Sequence, residues 1–150
     1  MSELRELYQE IVLDHNSRPR NFKEIDDADR VVEGYNPLCG DKIMLYVKFD
    51  GDTIADIGFQ GTGCAISRAS ASLMTQQVKG RNVAQAEKLF DRFHEMVTGN
   101  VDGDLDFEDL GDLEVMAGVS NFPSRVKCAT LSWHSLRSAL KSQEARVTTE

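Results

Sequence analysis

Three cysteines and one aspartate are the residues of this sequence best suited to hold a metal ion. Cys39 and Asp41 flank a single glycine, whereas Cys64 and Cys128 stand alone and far apart along the chain. Three thiolates and a carboxylate that met at one point would suit zinc, and the same thiolates could ligate an iron–sulfur cluster. The spacing alone leaves a second interpretation open, in which these are isolated buried cysteines. Their odd number argues against a disulfide framework.

Each cysteine is expected at the start of a strand or a helix. Cys39 lies in a loop bounded by Pro37 and Gly40, just ahead of the first clear strand. Cys64 is expected to open a helix, where free backbone amides and the helix dipole favour a thiolate. Cys128 is expected in the first turn of the last helix, off the apolar stripe of that helix. If these residues act as one site, the fold must bring several element ends together.

The remaining polar candidates are two basic residues beside the last cysteine and three histidines. A zinc ion with four anionic ligands would carry a net charge of about −2, which is costly to bury without compensation. Arg125 and Lys127 could offset this charge or steer a charged partner, and plain solvent exposure is the alternative. The histidines are expected at the surface or in packing rather than as ligands; they are His15, His94 and His134.

The hydrophobic pattern predicts a small antiparallel sheet followed by helices. Residues 42–49 alternate between apolar and polar side chains, Asp50-Gly51 suits a hairpin turn, and residues 53–60 return as the partner strand. One face of that partner strand is expected to hold Ala55, Ile57 and Phe59. A short strand is also expected at 31–35. Four helices are expected: one that ends near Asn16, one that follows Cys64, one that starts at Asn82 with a capping box to Gln85, and one that begins near Ser124. The predicted fold class is therefore α+β, in a single domain over residues 1–150.

Composition and charge exclude some classes of partner. The 150-residue chain has a net charge of −8, so it would repel the backbone of a nucleic acid. It shows no apolar run of membrane-spanning length and no signal peptide, so we expect a cytoplasmic protein that does not bind membranes.

The stretch from Val101 to Glu114 is acidic and resembles a calcium-binding loop. Phe107 and Leu113 stand where that loop needs glycine and glutamate, so a solvated acidic loop is expected.

Four motifs carry a resemblance to a known family. They are Asn-Pro-Leu-Cys-Gly-Asp at 36–41, Phe-Gln-Gly-Thr-Gly-Cys-Ala-Ile-Ser at 59–67, Ala-Ser-Leu-Met-Thr at 71–75 and Arg-Val-Lys-Cys-Ala-Thr-Leu at 125–131. In this order they resemble the IscU/SufU family of iron–sulfur cluster assembly proteins, which is NifU N-terminal-like. The resemblance implies a small three-stranded antiparallel sheet packed with helices. It also implies a metal site formed by Cys39, Asp41, Cys64 and Cys128.

The same resemblance implies a cysteine desulfurase as partner and one of two roles. IscU-type proteins are scaffolds on which a transient [2Fe–2S] cluster is assembled. SufU-type proteins use a zinc site to accept persulfide sulfur from a SufS-like desulfurase, and pass it on to downstream cluster scaffold or acceptor proteins. Cys39 would be the sulfur acceptor in a protein of this second type. A purely structural zinc protein is a further alternative.

Two features favour the SufU type. Lys127 stands where IscU scaffolds usually have a histidine, immediately before the third cysteine. An acidic insertion at about 99–114 matches the place of an insertion in SufU proteins. Separately, Phe122-Pro123-Ser124-Arg125 stands where IscU scaffolds carry the chaperone-recognition motif Leu-Pro-Pro-Val-Lys, so we do not expect a dedicated chaperone to bind. We therefore expect zinc-dependent sulfur transfer rather than cluster assembly on this chain.

Overall fold

The structure is a computed structural model that describes residues 2–38, 40–98, 113, 115–116, 119, 122–141 and 146–148. The elements, in chain order, are α1 (Ser2–Ser17), β1 (Arg30–Asn36), β2 (Asp41–Asp50), β3 (Thr53–Thr62), α2 (Ala65–Val78), α3 (Val83–Thr98), α4 (Pro123–Leu140) and β4 (Arg146–Thr148). The run of three consecutive strands followed by three consecutive helices confirms the predicted α+β class.

The strands form one sheet in the order β3-β2-β1-β4. The first three are antiparallel neighbours, which confirms the predicted three-stranded antiparallel sheet. Strand β4 adds a short parallel edge, with Val147 opposite Gly34 of β1. Sequence reasoning did not predict β4, because three residues are too few to show an alternating pattern.

Strand β3 contains a bulge that corrects one sequence prediction. Ile54 lies opposite Phe49 and Asp56 lies opposite Lys48, so Ala55 between them has no partner on β2. This extra residue reverses the inward–outward alternation at the start of the strand. Ile54 is therefore buried and Ala55 is exposed. The prediction that Ala55 shares the buried face of Ile57 and Phe59 was wrong, although both of those residues are buried.

Helices α2 and α4 pack against the sheet, whereas α1 packs against α2 and α3 packs against α4. Helix α2 approaches α4 closely enough for the Ser70 hydroxyl to donate a hydrogen bond to the carbonyl of Ala129, at 2.5 Å. On α3, Phe93 stacks on Trp133 of α4, with ring centroids 4.6 Å apart. The sequence predicts an apolar face on α3 with Val83, Ala86, Phe90, Phe93 and Val97, and all of these are buried except Val83, which is half-buried. Among the described residues, no helix combines the length and the apolar character needed to cross a bilayer.

A local signal in the sequence correctly locates the start of α3. The Asn82 side chain accepts from the Gln85 N–H at 2.8 Å, and the Gln85 side chain accepts from the Asn82 N–H at 3.0 Å. This reciprocal pair confirms the predicted capping box. The sequence also predicts an apolar stripe on α1 at Leu4, Leu7, Tyr8 and Ile11; the first three side chains lie outside the described residues, and Ile11 packs against the core. The acidic insertion at 99–114 also lies outside them, apart from the buried Leu113.

Candidate metal centre

Two cysteines and one aspartate meet where β2, α2 and α4 come together. Asp41 is the first residue of β2, Cys64 is the N-cap of α2, and Cys128 lies in the second turn of α4. One ligand atom from each, two sulfurs and a carboxylate oxygen, lie within 4.8 Å of one another. Among the residues that the structure describes, no other group of three His, Cys, Asp or Glu side chains meets this condition. Asp41 and Cys128 are buried and Cys64 is half-buried.

Cys39 lies outside the described residues, but the residues on either side of it are joined by backbone pairing. Asn36 at the end of β1 pairs with Asp41 at the start of β2. The N–H of Gly40 donates to the carbonyl of Asn36 at 2.9 Å. Gly40 has a φ of +74°, a backbone conformation that favours glycine. In the sequence, Cys39 is two positions before Asp41.

Both oxygens of the Asp41 carboxylate are held by hydrogen bonds. Oδ1 accepts from the backbone N–H of Cys64 at 2.8 Å, and Oδ2 accepts from the side-chain amide of Asn36 at 3.1 Å. A Cβ added at Gly63 would lie 2.5 Å from Asp41 Oδ1. Only a residue without a side chain therefore allows the loop before α2 to approach the carboxylate this closely. Each carboxylate oxygen has a further lone pair available for a metal ion.

Cys64 confirms the expectation that it opens a helix in surroundings that favour a thiolate. Its Sγ accepts a hydrogen bond from the N–H of Ser67 at 3.4 Å, in the manner of an N-cap side chain. A hydrogen bond from Cys128, with a smaller contribution from the Ser67 N–H, lowers the pKa of Cys64 to about 6. Burial and the negative charge of Asp41 oppose this shift in the pKa but do not cancel it. The net effect of these surroundings favours the thiolate form of Cys64.

Cys128 lies deeper than Cys64 and faces the end of β1. Its Sγ lies 3.5 Å from the amide nitrogen of Asn36 and 3.6 Å from the carbonyl oxygen of Ser124. The helix starts at Pro123, so Cys128 falls in its second turn rather than the first turn expected from the sequence. It lies apart from the apolar stripe of α4, as expected, although it is as buried as the residues of that stripe.

The two basic residues beside Cys128 point to solvent. Arg125 and Lys127 are exposed, and the Arg125 guanidinium lies over the ring of Phe122, 4.8 Å from its centroid. Charge compensation or partner steering by this pair stays a prediction. The histidines agree with their expected packing roles: His15 is buried with its Nδ1 2.7 Å from the Ser72 hydroxyl, and His94 and His134 pack around Phe90.

Asn36 is a residue of this site that sequence reasoning missed. It is fully buried and contacts both Asp41 and Cys128. A signal was present in β1, where Val32, Gly34 and Asn36 alternate on the buried face. A buried amide at the end of that row must find polar partners.

The donor set suits a zinc ion. Zinc–sulfur and zinc–oxygen bonds of about 2.0 to 2.3 Å place tetrahedral donors about 3.5 to 4 Å apart. Ligand atoms that lie within 4.8 Å of one another need only a small movement to reach that spacing. Two soft sulfurs and one carboxylate favour zinc or an iron–sulfur cluster over magnesium or calcium, which prefer oxygen ligands. A fourth ligand from the adjacent turn would complete a tetrahedral site.

Comparison with known proteins gives consistent matches over most of the chain. Residues 7–147 match the family model of the NifU-like N terminal domain. The chain is 45% identical over 138 residues to the zinc-dependent sulfurtransferase SufU of Bacillus subtilis (strain 168), covering 92% of each protein. It is also 45% identical over 141 residues to the iron–sulfur cluster assembly scaffold protein IscU of Streptococcus pyogenes serotype M1, covering 94% of this chain and 87% of that protein.

A solved structure extends the similarity to three dimensions. It is the crystal structure of an iron–sulfur cluster assembly scaffold protein for the SUF system from Fervidobacterium islandicum AW-1. The two chains superpose with a TM-score of 0.82 at 37% identity, covering 90% of this chain and 97% of the other. The arrangement of sheet and helices is therefore shared with a relative of similar length.

Proposed function

The chain belongs to the family of NifU-like N-terminal domains, and from this premise we propose that it accepts sulfur for iron–sulfur cluster assembly at a zinc site. The donor would be a cysteine desulfurase of the SufS kind, and the receivers would be downstream cluster scaffold or acceptor proteins. The observation that carries the proposal is the meeting of Asp41, Cys64 and Cys128 beside the turn that bears Cys39.

Four residues would hold the metal ion in this proposal: Cys39, Asp41, Cys64 and Cys128. When bound, zinc would keep its cysteine ligands deprotonated at neutral pH and fix them in one arrangement. The low pKa of Cys64, about 6, supports its role as a thiolate ligand. Cys128 and Asp41 are buried and hydrogen-bonded, which supports their role as the lasting part of the site.

Cys39 is the proposed sulfur acceptor. Its neighbours in the turn, Leu38 and Gly40, are both exposed, and Leu38 is 61% accessible to solvent. An exposed apolar residue beside the reacting thiol supports contact with another protein at this point. Phe122, 50% exposed at the start of α4, adds a second apolar contact on the element that carries Cys128. Arg125 and Lys127 on the same helix would steer or balance charge during docking.

The transfer step is a thiol–persulfide exchange. The Cys39 thiolate attacks the terminal sulfur of the persulfide on the desulfurase cysteine. A sulfur–sulfur bond forms to Cys39 as the one in the desulfurase breaks, and the desulfurase cysteine leaves as a thiolate. The terminal sulfur keeps its proton during the transfer, so the product is a Cys39 persulfide. The step consumes no oxidant or reductant.

A cluster scaffold is the second candidate function. The 45% identity to an IscU of Streptococcus pyogenes equals the identity to the SufU of Bacillus subtilis, so similarity alone does not choose between them. Lys127 in place of the usual histidine favours the sulfur acceptor. In the scaffold function, iron and sulfide would be cargo gathered by the same cysteines.

Stimulation of the desulfurase tests the proposal. The purified, zinc-analysed protein is mixed with its cognate cysteine desulfurase and cysteine, and alanine and sulfide are followed. We expect marked stimulation that Cys39→Ala abolishes while Asn82→Ala, a substitution remote from the site, leaves it unchanged. No stimulation, together with a visible [2Fe–2S] spectrum after iron is added, would identify a scaffold instead. No stimulation and no cluster, with zinc still bound, would identify a structural zinc protein.

A further inference from the structure

The side-chain amide of Asn36 connects two of the candidate metal ligands. Its Nδ2 lies 3.1 Å from Asp41 Oδ2 and 3.5 Å from Cys128 Sγ. An asparagine amide carries two hydrogens, so one can be donated to each acceptor at the same time. All three residues are buried, with exposures of 0%, 0% and 2%. Water is therefore poorly placed to supply these hydrogen bonds in its stead.

The position of Asn36 is set by the packing of β1 against α4. Asn36 ends the row of inward-facing residues on β1, and its carbonyl accepts the N–H of Gly40. Gly34, two residues earlier, leaves no room for a side chain, because a Cβ there would collide with the hydroxyl of Ser135 on α4. Strand and helix are thus in close contact just before the strand reaches the site, which holds the amide at a defined distance from Cys128.

Repulsion between the ligands explains what this amide contributes. Asp41, Cys64 and Cys128 offer three anionic or potentially anionic groups whose ligand atoms lie within 4.8 Å of one another. Without a bound cation these groups repel one another, and the buried ones are costly to leave without a hydrogen-bond donor. The Cys64 N–H donates a hydrogen bond to Asp41 Oδ1, and the Asn36 amide donates to Asp41 Oδ2 and to Cys128 Sγ.

We propose that Asn36 is a positioning residue of the metal site, holding the Asp41 carboxylate and the Cys128 thiolate at the spacing that the metal requires. This inference rests on the proposed function, because it assumes that these residues bind a metal ion. A hydrogen bond to a metal-bound thiolate also stabilises the sulfur lone pairs. Asn36 therefore affects both the affinity of the site and the electronic properties of its metal–sulfur bond.

Zinc affinity and the cobalt spectrum test this role together. Zn²⁺ binding is measured by competition with a chromophoric chelator for the wild type, Asn36→Ala and Asn36→Asp. We expect about 10- to 100-fold weaker binding for Asn36→Ala, as is typical for loss of a partner behind a metal ligand. Asn36→Asp keeps the side-chain shape but removes both donors and places a carboxyl group against Asp41 Oδ2 and Cys128 Sγ, so it no longer holds the two ligands together and we again expect weaker binding than in the wild type. Because it is nearly isosteric, it also tests the inference if Asn36→Ala does not fold.

The cobalt spectrum separates positioning from a general structural role. In the Co²⁺-loaded protein, loss of the hydrogen bond to Cys128 should shift the sulfur-to-cobalt charge-transfer band to lower energy in Asn36→Ala. Asn82→Ala is the matched control, since it removes another asparagine with reciprocal hydrogen bonds far from the cysteines. This control should lose stability but keep the wild-type zinc affinity and cobalt spectrum.

Two results would overturn the inference in distinguishable ways. If Asn36→Ala and Asn36→Asp bind Zn²⁺ as tightly as the wild type and show its cobalt spectrum, Asn36 does not position the ligands, and the proposed function is unaffected. If the wild type itself binds neither Zn²⁺ nor Co²⁺ with cysteine ligation, the proposed metal site is wrong, and the role of Asn36 falls with it.

Discussion

Replacement of Gly63 by alanine should damage the site through a single steric contact. A Cβ at this position would lie 2.5 Å from Asp41 Oδ1 and 3.1 Å from the Cβ and Cγ of the same residue. Ordinary contact starts at 3.4 Å, so the carboxylate or the loop must move by about 3.4 − 2.5 = 0.9 Å. Neither can move freely, because Oδ1 accepts the Cys64 N–H at 2.8 Å and Oδ2 accepts from Asn36.

The expected cost follows from the hydrogen bond that this movement breaks. A hydrogen bond to a charged group contributes about 1.5 to 3 kcal/mol, and overpacking a well-packed position costs about 1 to 3 kcal/mol. We therefore expect Gly63→Ala to lose about 2 to 4 kcal/mol in the free energy of unfolding. Because the displaced residue is a proposed metal ligand, zinc affinity should fall by about tenfold or more. Urea unfolding of the metal-free protein and chelator competition measure the two quantities.

Gly51→Ala is the matched control for this prediction. Gly51 lies in the hairpin turn between β2 and β3 with a φ of +64° and open space around it. Alanine there costs about 1 to 2 kcal/mol through backbone strain alone, far from the cysteines. Gly51→Ala should therefore lose stability but keep its zinc affinity. If Gly63→Ala retained both the stability and the zinc affinity of the wild type, the close approach of the loop to Asp41 would not be what holds this ligand.

Two further predictions concern positions away from the metal centre. Burial, together with the charges of His94 and Arg137, lowers the pKa of His134 below its ordinary value of 6.5. The unfolded chain therefore takes up a proton at this imidazole first, so the free energy of unfolding should fall as the pH drops below 6.5 and through the lower folded pKa. His134→Gln should flatten this pH dependence in urea unfolding between about pH 5 and 8, and an unchanged slope would contradict it. Asn82→Ala should lower the free energy of unfolding by about 1 kcal/mol, because it removes the capping box of α3. An unchanged free energy of unfolding would show that the capping box does not stabilise the protein.

Patterns that depend on neighbouring residues allowed much of the fold to be predicted from the sequence. The alternation of Ile43, Leu45 and Val47 gave the buried face of β2, and Asn82 with Gln85 gave the start of α3. The glycines before Cys64 indicated a helix start, and Cys64 is the N-cap of α2. Each of these signals lies within a few residues of the feature that it predicts, so no knowledge of the tertiary structure was needed.

Features that depend on distant pairing were missed. The bulge at Ala55 exists only in the register between β2 and β3, and the local alternation of β3 alone points to the wrong face. Strand β4 is defined by its pairing with Gly34 and its neighbours, more than a hundred residues earlier. Likewise, the proposed role of Asn36 depends on its contact with Cys128, which lies 92 residues later in the chain. Sequence reasoning selected the candidate ligands by their chemistry but not the amide that links two of them, because an asparagine near a turn has many ordinary explanations.

The position of the transferred sulfur tests the central claim most directly. The zinc-loaded protein is incubated with a desulfurase that carries an isotopically labelled persulfide, and the labelled residue is identified by mass spectrometry of trapped peptides. The proposed function predicts label on Cys39, its loss in Cys39→Ser, and its retention in Gly51→Ala. Label on Cys64 or Cys128 in the wild type, or unchanged labelling of the Cys39→Ser protein, would contradict the assignment of Cys39 as the sulfur acceptor.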